Sequence, residues 1–381
     1  MSDVAPVPLD PKYLEQIREG LDRARREADT ERFDPGTGRI VVFSDHHKGA
    51  GDKADDFRRC EHAYTAALGW YLESGYRLFV LGDAEELWEE RPQTVLERYR
   101  AVLDLEAQFR TRGGLERFWG NHDDDWRHAS AVRSHLWPVF GRLEVHEALE
   151  LIIERPGKQA GKLLFLHGHQ GTVESDRFGW ASRLAVRWIW RPLQRRFGFS
   201  ATTPANEYDV RAKHDRAMYE WARTQEPGIV LVAGHTHRPV FARGTPAPPP
   251  TRPIGELERL LAEAVAAGDA AEAARLRAEL EYARTSVRRP EAVLTVSPPC
   301  YFNTGCCSFP DGDITGIEIA DGMIRLVRWP ANLHELVDDG DGIQDARRVL
   351  EEARLDDVLD AVLEPPVTAP SVVEHEIMAP R

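Results

Sequence analysis

Between residues 39 and 329 the chain alternates short apolar runs with amphipathic stretches. RIVVFSD (39–45), YRLFVLGD (76–83) and LERFWGN (115–121) are apolar runs of strand length that end in polar residues. ADDFRRCEHAYTAALGWYLES (54–74) and TVLERYRAVLDLEAQFRTR (94–112) separate them, with apolar residues at helical spacing. That rhythm predicts a βαβαβ unit of parallel strands with helical crossovers. RLEVHE, LELIIER and KLLFLHG (142–168) predict closely spaced strands of a meander, and GIVLVAGH (228–235) one more buried strand. ITGIEIADGMIRLVRW (314–329) predicts a hairpin turning at Ala320-Asp321-Gly322. Residues 11–28 read as a charged helix before a DPGTG turn.

Two segments interrupt this plan. Residues 174–225 are rich in Arg and aromatics and mostly helical in pattern. Residues 244–292 open with the stiff stretch TPAPPP. Leu257, Leu260, Leu261, Ala264 and Val265 then form a helical stripe, Gly268-Asp269 breaks it, and a second helix follows. This is the pattern of a helical hairpin. The expected organisation is an N-terminal helix and linker (1–38), a main domain (39–330) carrying both insertions, and a C-terminal helix with a disordered tail (331–381).

Composition narrows the function class. The 381 residues include 63 acidic and 49 Lys or Arg side chains, a formal charge of −14. An acidic chain is a poor polyanion binder, so nucleic acid is not expected as a partner. With 29% charged residues and no long uncharged apolar run, no transmembrane helix is expected. The start MSDVAPVPLDPKYLEQIREG lacks the pattern of a signal peptide. Cys60, Cys300, Cys306 and Cys307 are too few and badly spaced for a disulfide framework. A cytoplasmic location follows as the expectation.

The chemistry gathers where apolar runs end. Five clusters stand there: Asp45-His46-His47; Gly82-Asp83 with Glu86; Gly120-Asn121-His122-Asp123; His167-Gly168-His169; and Gly234-His235-Thr236-His237. Ligands of open α/β sheets bind beyond the carboxyl ends of strands, so clusters spanning nearly 200 residues can converge. Mixed His and carboxylate donors favour Mn, Fe or Zn over Mg or Ca. In extended chain, side chains i and i+2 share a side, which pairs Asp45 with His47 and His235 with His237. Asp45, His47, Asp83, Asn121, His167, His235 and His237 make seven ligands. Seven exceed one tetrahedral ion and suit two, with a shared carboxylate, the usual arrangement for phosphoester hydrolysis.

The ordered set Asp-x-His, Gly-Asp-x-x-Glu, Gly-Asn-His-Asp, a lone His after a strand, and Gly-His-x-His resembles the calcineurin-like metallophosphoesterase superfamily. The resemblance spans about residues 39–329 outside the interruptions. It implies an α/β (α+β) fold, a β-sandwich flanked by helices with helical insertions and a site along one edge. It also implies that Asp45, His47 and His237 hold one ion, Asn121, His167 and His235 a second, and that Asp83 bridges them. The family's chemistry implies attack by a metal-bound hydroxide, with His122 serving the leaving oxygen and Glu86 orienting His122. GDAEELW (82–88) is similar to the UDP-2,3-diacylglucosamine hydrolase branch, from which the chain departs at His122, at His169 and in the added hairpin.

A phosphodiester, pyrophosphate or phosphomonoester is therefore the expected substrate, carried by a small molecule or a nucleotide-linked lipid. Arg183, Arg187 and Arg191 recur every four residues within 177–199, with Trp180, Trp188 and Trp190 nearby. That stripe reads as a phosphate-holding lid, as a helix lying on an anionic membrane surface, or as a basic helix docked on the acidic body. Lys48, just past the first ligand pair, is a further candidate for a substrate phosphate. The 244–292 stripe would pair with a second copy in a homodimer or fold back on the domain. Two rivals remain: a nuclease acting on single strands by the same two-metal chemistry, and a metal-stabilised interaction scaffold.

Overall fold

Strand β2 (Ile40–Phe43) shows how the sequence divides its core. All four residues are buried, and alternate ones serve different layers. Ile40 and Val42 join Phe79, Leu81, Phe118, Leu151, Phe165 and Val232 in one apolar cluster. Val41 and Phe43 join Tyr64, Leu68, Tyr71 and Leu103 in another. A strand apolar at every position is thus covered by a sheet on one face and by helices on the other.

The computed structural model describes residues 9–171, 204–241, 254–267, 298–331 and 346–363, with positions 273, 276, 277 and 280. The remaining strands are β1 (Asp29–Arg32), β3 (Arg77–Leu81), β4 (Leu115–Phe118), β5 (Val145–His146), β6 (Ala148–Ile153), β7 (Gly161–Leu166) and β8 (Val230–Ala233). Then come β9 (Pro239–Val240), β10 (Tyr301–Thr304), β11 (Ile314–Ala320), β12 (Met323–Trp329) and β13 (Arg348–Arg354). They form two mixed sheets, ordered β13-β12-β11-β2-β3-β4-β5 and β1-β6-β7-β8-β10-β9. The expected parallel unit is present as β2-β3-β4, extended by β5. In the second sheet β7, β8 and β10 run parallel.

The sheets face each other across the cluster that holds Val42 and Phe165. Helices Glu61–Glu73 and Arg100–Arg112 cover the outer face of the first sheet. Helices Pro11–Glu27 and Pro204–Ala222 cover the second, where Ile17, Leu21, Met218 and Trp221 meet Leu166, Leu231 and Tyr301. This is a mixed α/β fold of two packed sheets flanked by helices. Among the described residues no helix is long and apolar enough to cross a membrane.

Local details differ from the pattern-based expectation for identifiable reasons. The helix expected over 94–112 divides at Tyr99 (φ −104°, ψ 24°), whose hydroxyl donates to Asp55 Oδ2 at 2.6 Å. The helix expected from 54 begins at Glu61, after a turn at Phe57–Arg59. β1 (DTER) and β13 (RVLEEAR) were not expected as strands, since both are charged and lie at sheet edges where one side faces solvent. The hairpin turns as expected, with Asp321 (φ 55°) and Gly322 (φ 73°) in the left-handed region that a two-residue turn requires. Of the 244–292 segment, helix Ile254–Ala266 is described. Its Leu257 and Ala264 pack with Ala273, Leu276 and Leu280 in a cluster of their own.

Behind the sheet's ligand-bearing edge lies a buried ionic quartet. The Arg117 guanidinium grips Glu85 with two bonds of 2.7 and 2.8 Å and reaches Glu106 at 3.3 Å. Lys48 donates to Glu106 at 2.8 Å, and all four side chains are fully buried. The Tyr64 hydroxyl donates to Glu106 and the Trp126 indole N–H to Glu85. Two cations balance two carboxylates, which makes such burial tolerable. Removing one carboxylate charge leaves an uncompensated cation. Glu106→Gln is expected to destabilise the fold by about 3–5 kcal/mol, read from the shift of the urea midpoint at constant m. A loss below about 1 kcal/mol would show that solvent reaches the quartet.

Candidate metal centre

β2, β3 and β4 of one sheet and β7 and β8 of the other end at the same edge. There they deliver Asp45, Asp83, Asn121, His167 and His235. The chain reverses sharply at these points. Six non-glycine residues among those described have positive φ, and five bear expected ligands: Asp45 (54°), His47 (50°), Asp83 (48°), His235 (69°) and His237 (54°). The pairs 45/47 and 235/237 do come together. They do so through left-handed backbone beyond the strand ends, not through the extended alternation inferred from spacing. Residues with a β-carbon hold this conformation only where the surroundings over-determine it.

Glycines and one carboxylate supply that surrounding. A β-carbon on Gly120 would collide with Asp83, one on Gly234 with Ser44 and Asp45, and one on Gly82 with the His167 ring. Asp123 is buried and accepts the backbone N–H groups of Gly120 (2.6 Å), Ala84 (2.8 Å), Asp83 (3.3 Å) and Glu85 (3.4 Å). Burial, with the neighbouring Asp83 and Glu85 carboxylates, pushes the Asp123 carboxyl up to about 7. Asp45 is held in turn by the Ser44 hydroxyl and by the His235 N–H at 2.9 Å.

Two triads result. Donor atoms of Asp45, His47 and His237 lie within 4.8 Å of one another, as do those of Asp83, His167 and His235. Asp83 also groups with His47 and His122, which joins the triads. Its Oδ2 lies 3.1 Å from His167 Nε2 and 3.8 Å from His47 Nε2, while its Oδ1 accepts the His122 N–H at 2.8 Å. His47 Nε2 and His237 Nε2 face each other at 3.2 Å. Two imidazoles on one tetrahedral ion, each bonded at about 2.0–2.1 Å, stand about 3.3 Å apart.

The donor set fits divalent ions on further grounds. Asn121 Oδ1 is buried without a hydrogen-bond partner, and His167 Nε2 faces only the Asp83 carboxylate. The His167 Nδ1–H donates to the Leu81 carbonyl at 2.9 Å, and the His47 Nδ1–H to Glu86 Oε2 at 3.1 Å. Each bond leaves Nε2 as the ligand atom and fixes the ring. Burial holds the His237 imidazole down at about 4, and burial with His214 and His167 holds His235 well below the usual range. Both rings are thus neutral, the state that binds a metal. Burial opposes charge on His167, but Asp83 and Asp45 raise it to about 9, so an ion there must displace a proton.

His122 stands at the open side. Its Nδ1–H donates to Glu86 Oε2 at 2.7 Å, and its ring stacks on Trp88 at 4.2 Å and 18°. The Trp88 indole N–H binds the Asn121 carbonyl at 2.5 Å, which fixes the stack. Burial opposes the imidazolium, yet Glu86 and Asp83 raise the His122 pKa to about 10. The reciprocal effect, again against burial, holds the Glu86 carboxyl at about 2. A cavity of about 210 Å³ opens beside His47 and Glu86, lined also by Lys53, Asp55, Asp56 and Glu89.

Six of the seven expected ligands converge, with His122 and Glu86 beside them, and Asn121 stands next to them between Gly120 and His122, both of which abut Asp83. Lys48 does not: its ammonium is fully buried on Glu106, near the Tyr64 and Phe57 rings, and meets no solvent. Its loop pairs with Glu85, and this aims the side chain into the core rather than at a substrate phosphate. Arg183, Arg187 and Arg191 lie outside the described residues. Asp123 and Trp88 went unassigned from sequence, although both sit inside the ligand motifs. His214 and Asp215 left no signal there at all.

No protein-family model matches the chain, and a search of curated proteins returns no match. One solved structure that matches is a conserved uncharacterized protein from Streptococcus pneumoniae TIGR4, described as a predicted phosphoesterase. The two are 14% identical over 77% of this chain and 90% of that one, with a TM-score of 0.29. At that score the likeness carries no argument, and function rests on the geometry of the site.

The Glu86–His122 pair makes a pH prediction for the metal-free protein. The His122 value, about 10, lies above its ordinary 6.5, so its contribution is full below pH 6.5 and fades as pH rises through 10. The Glu86 value, about 2, lies below 4.5, so its contribution is full above pH 4.5 and fades as pH falls through 2. Glu86→Gln is expected to lower the His122 pKa by about one to three units, followed by NMR of the imidazole protons. An unchanged titration would remove Glu86 as its cause.

Proposed function

We propose that this chain is a dinuclear metal-dependent phosphoesterase that hydrolyses a phosphodiester, pyrophosphate or phosphomonoester. The observation that carries the reading is Asp83, whose Oδ2 lies between His167 and His47 where two complete triads meet. Asp45, His47 and His237 would hold one ion, Asn121, His167 and His235 the other, and Asp83 both. Nitrogen and oxygen donors in this mixture suit Mn²⁺, with Fe or Zn as alternatives. The ions, when bound, supply Lewis-acid polarisation of phosphoryl oxygens and a near-neutral pKa for water.

The chain's own groups supply the rest. Glu86 and Asp83 favour the imidazolium form of His122 in the metal-free chain, and Glu86 holds Nδ1, which leaves Nε2 as the ring atom to serve a leaving oxygen. Trp88 keeps the ring from turning away. Glu86 holds His47 and His122 through one oxygen, so a single carboxylate sets a ligand and the proton donor together. The adjoining cavity presents Asp55, Asp56, Glu86 and Glu89 against Lys53, a lining that repels a polyanion. This favours a small phosphoester over a nucleic acid strand.

The test is metal content and turnover of Mn²⁺-loaded protein on an aryl phosphodiester and an aryl phosphomonoester. Two ions per chain with turnover are expected. Asp83→Ala should abolish turnover and weaken metal binding in a folded protein, and full activity in that variant would sink the shared-carboxylate mechanism. His122→Ala should lose roughly 10²–10⁴-fold in rate with metal retained. Loss of metal from that variant would instead make His122 a ligand.

A further inference from the structure

The two ligand loops of the second sheet are held from behind by consecutive residues of helix Pro204–Ala222. Asp215 is fully buried. Its Oδ1 accepts the Thr236 hydroxyl at 2.7 Å and the Tyr301 hydroxyl at 2.8 Å, and its Oδ2 pairs with Arg238 at 2.9 Å. Asn303 closes the ring by donating to the Gly234 carbonyl at 2.6 Å, with Thr236 Oγ1 and Tyr301 Oη 3.1 and 3.0 Å away. Thr236 lies between His235 and His237, both in left-handed backbone. Every residue from Gly234 to Arg238 except the two ligands is therefore tied to this polar network or one bond from it.

The preceding residue acts on the other loop. The His214 Nε2–H donates to the Gly168 carbonyl at 2.6 Å, next to His167, and its Nδ1 accepts the Tyr13 hydroxyl at 2.7 Å. Its ring meets that of His235 edge-on at 5.1 Å. The arrangement matters because His237 belongs to one triad while His235 and His167 belong to the other.

We propose that Asp215, acting through the Thr236 hydroxyl, is a positioning residue for both metal sites at once, with His214 setting the His167 loop. This rests on the dinuclear reading above. Neither Asp215 nor Thr236 is a ligand or touches a substrate. Their effect is to fix the spacing of His235 and His237, so losing it weakens both ions together rather than one.

Thr236→Val removes the hydroxyl at nearly constant shape, Thr236→Ser restores it, and Asp215→Asn removes the charge. The measurement is Mn²⁺ titration of the full-length chain by calorimetry, beside the melting temperature of metal-free protein. Wild type should take up two Mn²⁺, Thr236→Val and Asp215→Asn should weaken both by about 10–100-fold, and Thr236→Ser should recover. A merely structural role would lower the metal-free melting temperature and leave the Mn²⁺ affinity of folded protein unchanged. Affinity within twofold of wild type in folded Thr236→Val would overturn the proposal. Should Asp215→Asn fail to fold, the Thr236 pair decides. Loss of only one ion would refute the joint effect. Wild type that binds no Mn²⁺ would overturn the dinuclear reading itself, and this inference with it.

Discussion

Left-handed backbone at a residue with a β-carbon costs about 1–3 kcal/mol, and this chain carries it at Asp45, His47, Asp83, His235 and His237 together. The surrounding structure compensates locally. Asp123 collects four N–H groups from the 83–85 and 120 turns. Gly82, Gly120 and Gly234 leave room where any side chain would collide with a ligand residue. Donors held in a strained but fixed arrangement need little reorganisation when an ion arrives.

The two sheets secure their ligand loops by different physics. Behind β2 and β3 the quartet of Lys48, Glu85, Glu106 and Arg117 is charged throughout and closed to solvent. It locks Lys48 and Glu85, the neighbours of His47 and Glu86, through the strong geometry of paired ions. Behind β7 and β8 the supports are mostly hydroxyls, an amide and an imidazole, with Asp215 and Arg238 as the ion pair. Both leave the ligand faces to donors of the site alone.

Much of the fold was legible because strands buried on both faces are apolar at every position, as in Ile40–Phe43 and Val230–Ala233. Charged edge strands such as β1 and β13 carry no such signal, since their pairing is dictated by the neighbour and not by their own residues. The candidate ligands were legible because they cluster in short polar motifs directly after apolar runs. Lys48 misled because sequence adjacency to His47 does not fix direction: one residue past a left-handed turn, its side chain enters the core. His214 and Asp215 were illegible because they lie mid-helix, where a buried polar residue reads like any other, and their partners are far away in sequence.

Each triad draws donors from both sheets. Asp45 and His47 follow β2 while His237 follows β8, and Asp83 follows β3 while His167 and His235 follow β7 and β8. An ion bound at either triad would therefore cross-link the halves of the sandwich at its open edge, where apolar packing ends. Separation of the sheets would break both triads at once, so ions held there would bind the docked state and not the parted one. By linkage, each site would then add about 2.7 kcal/mol to docking at a free ion concentration one hundredfold above its dissociation constant. The integrity of the fold and the occupancy of the centre would become a single coupled equilibrium, governed by how much metal the surroundings offer.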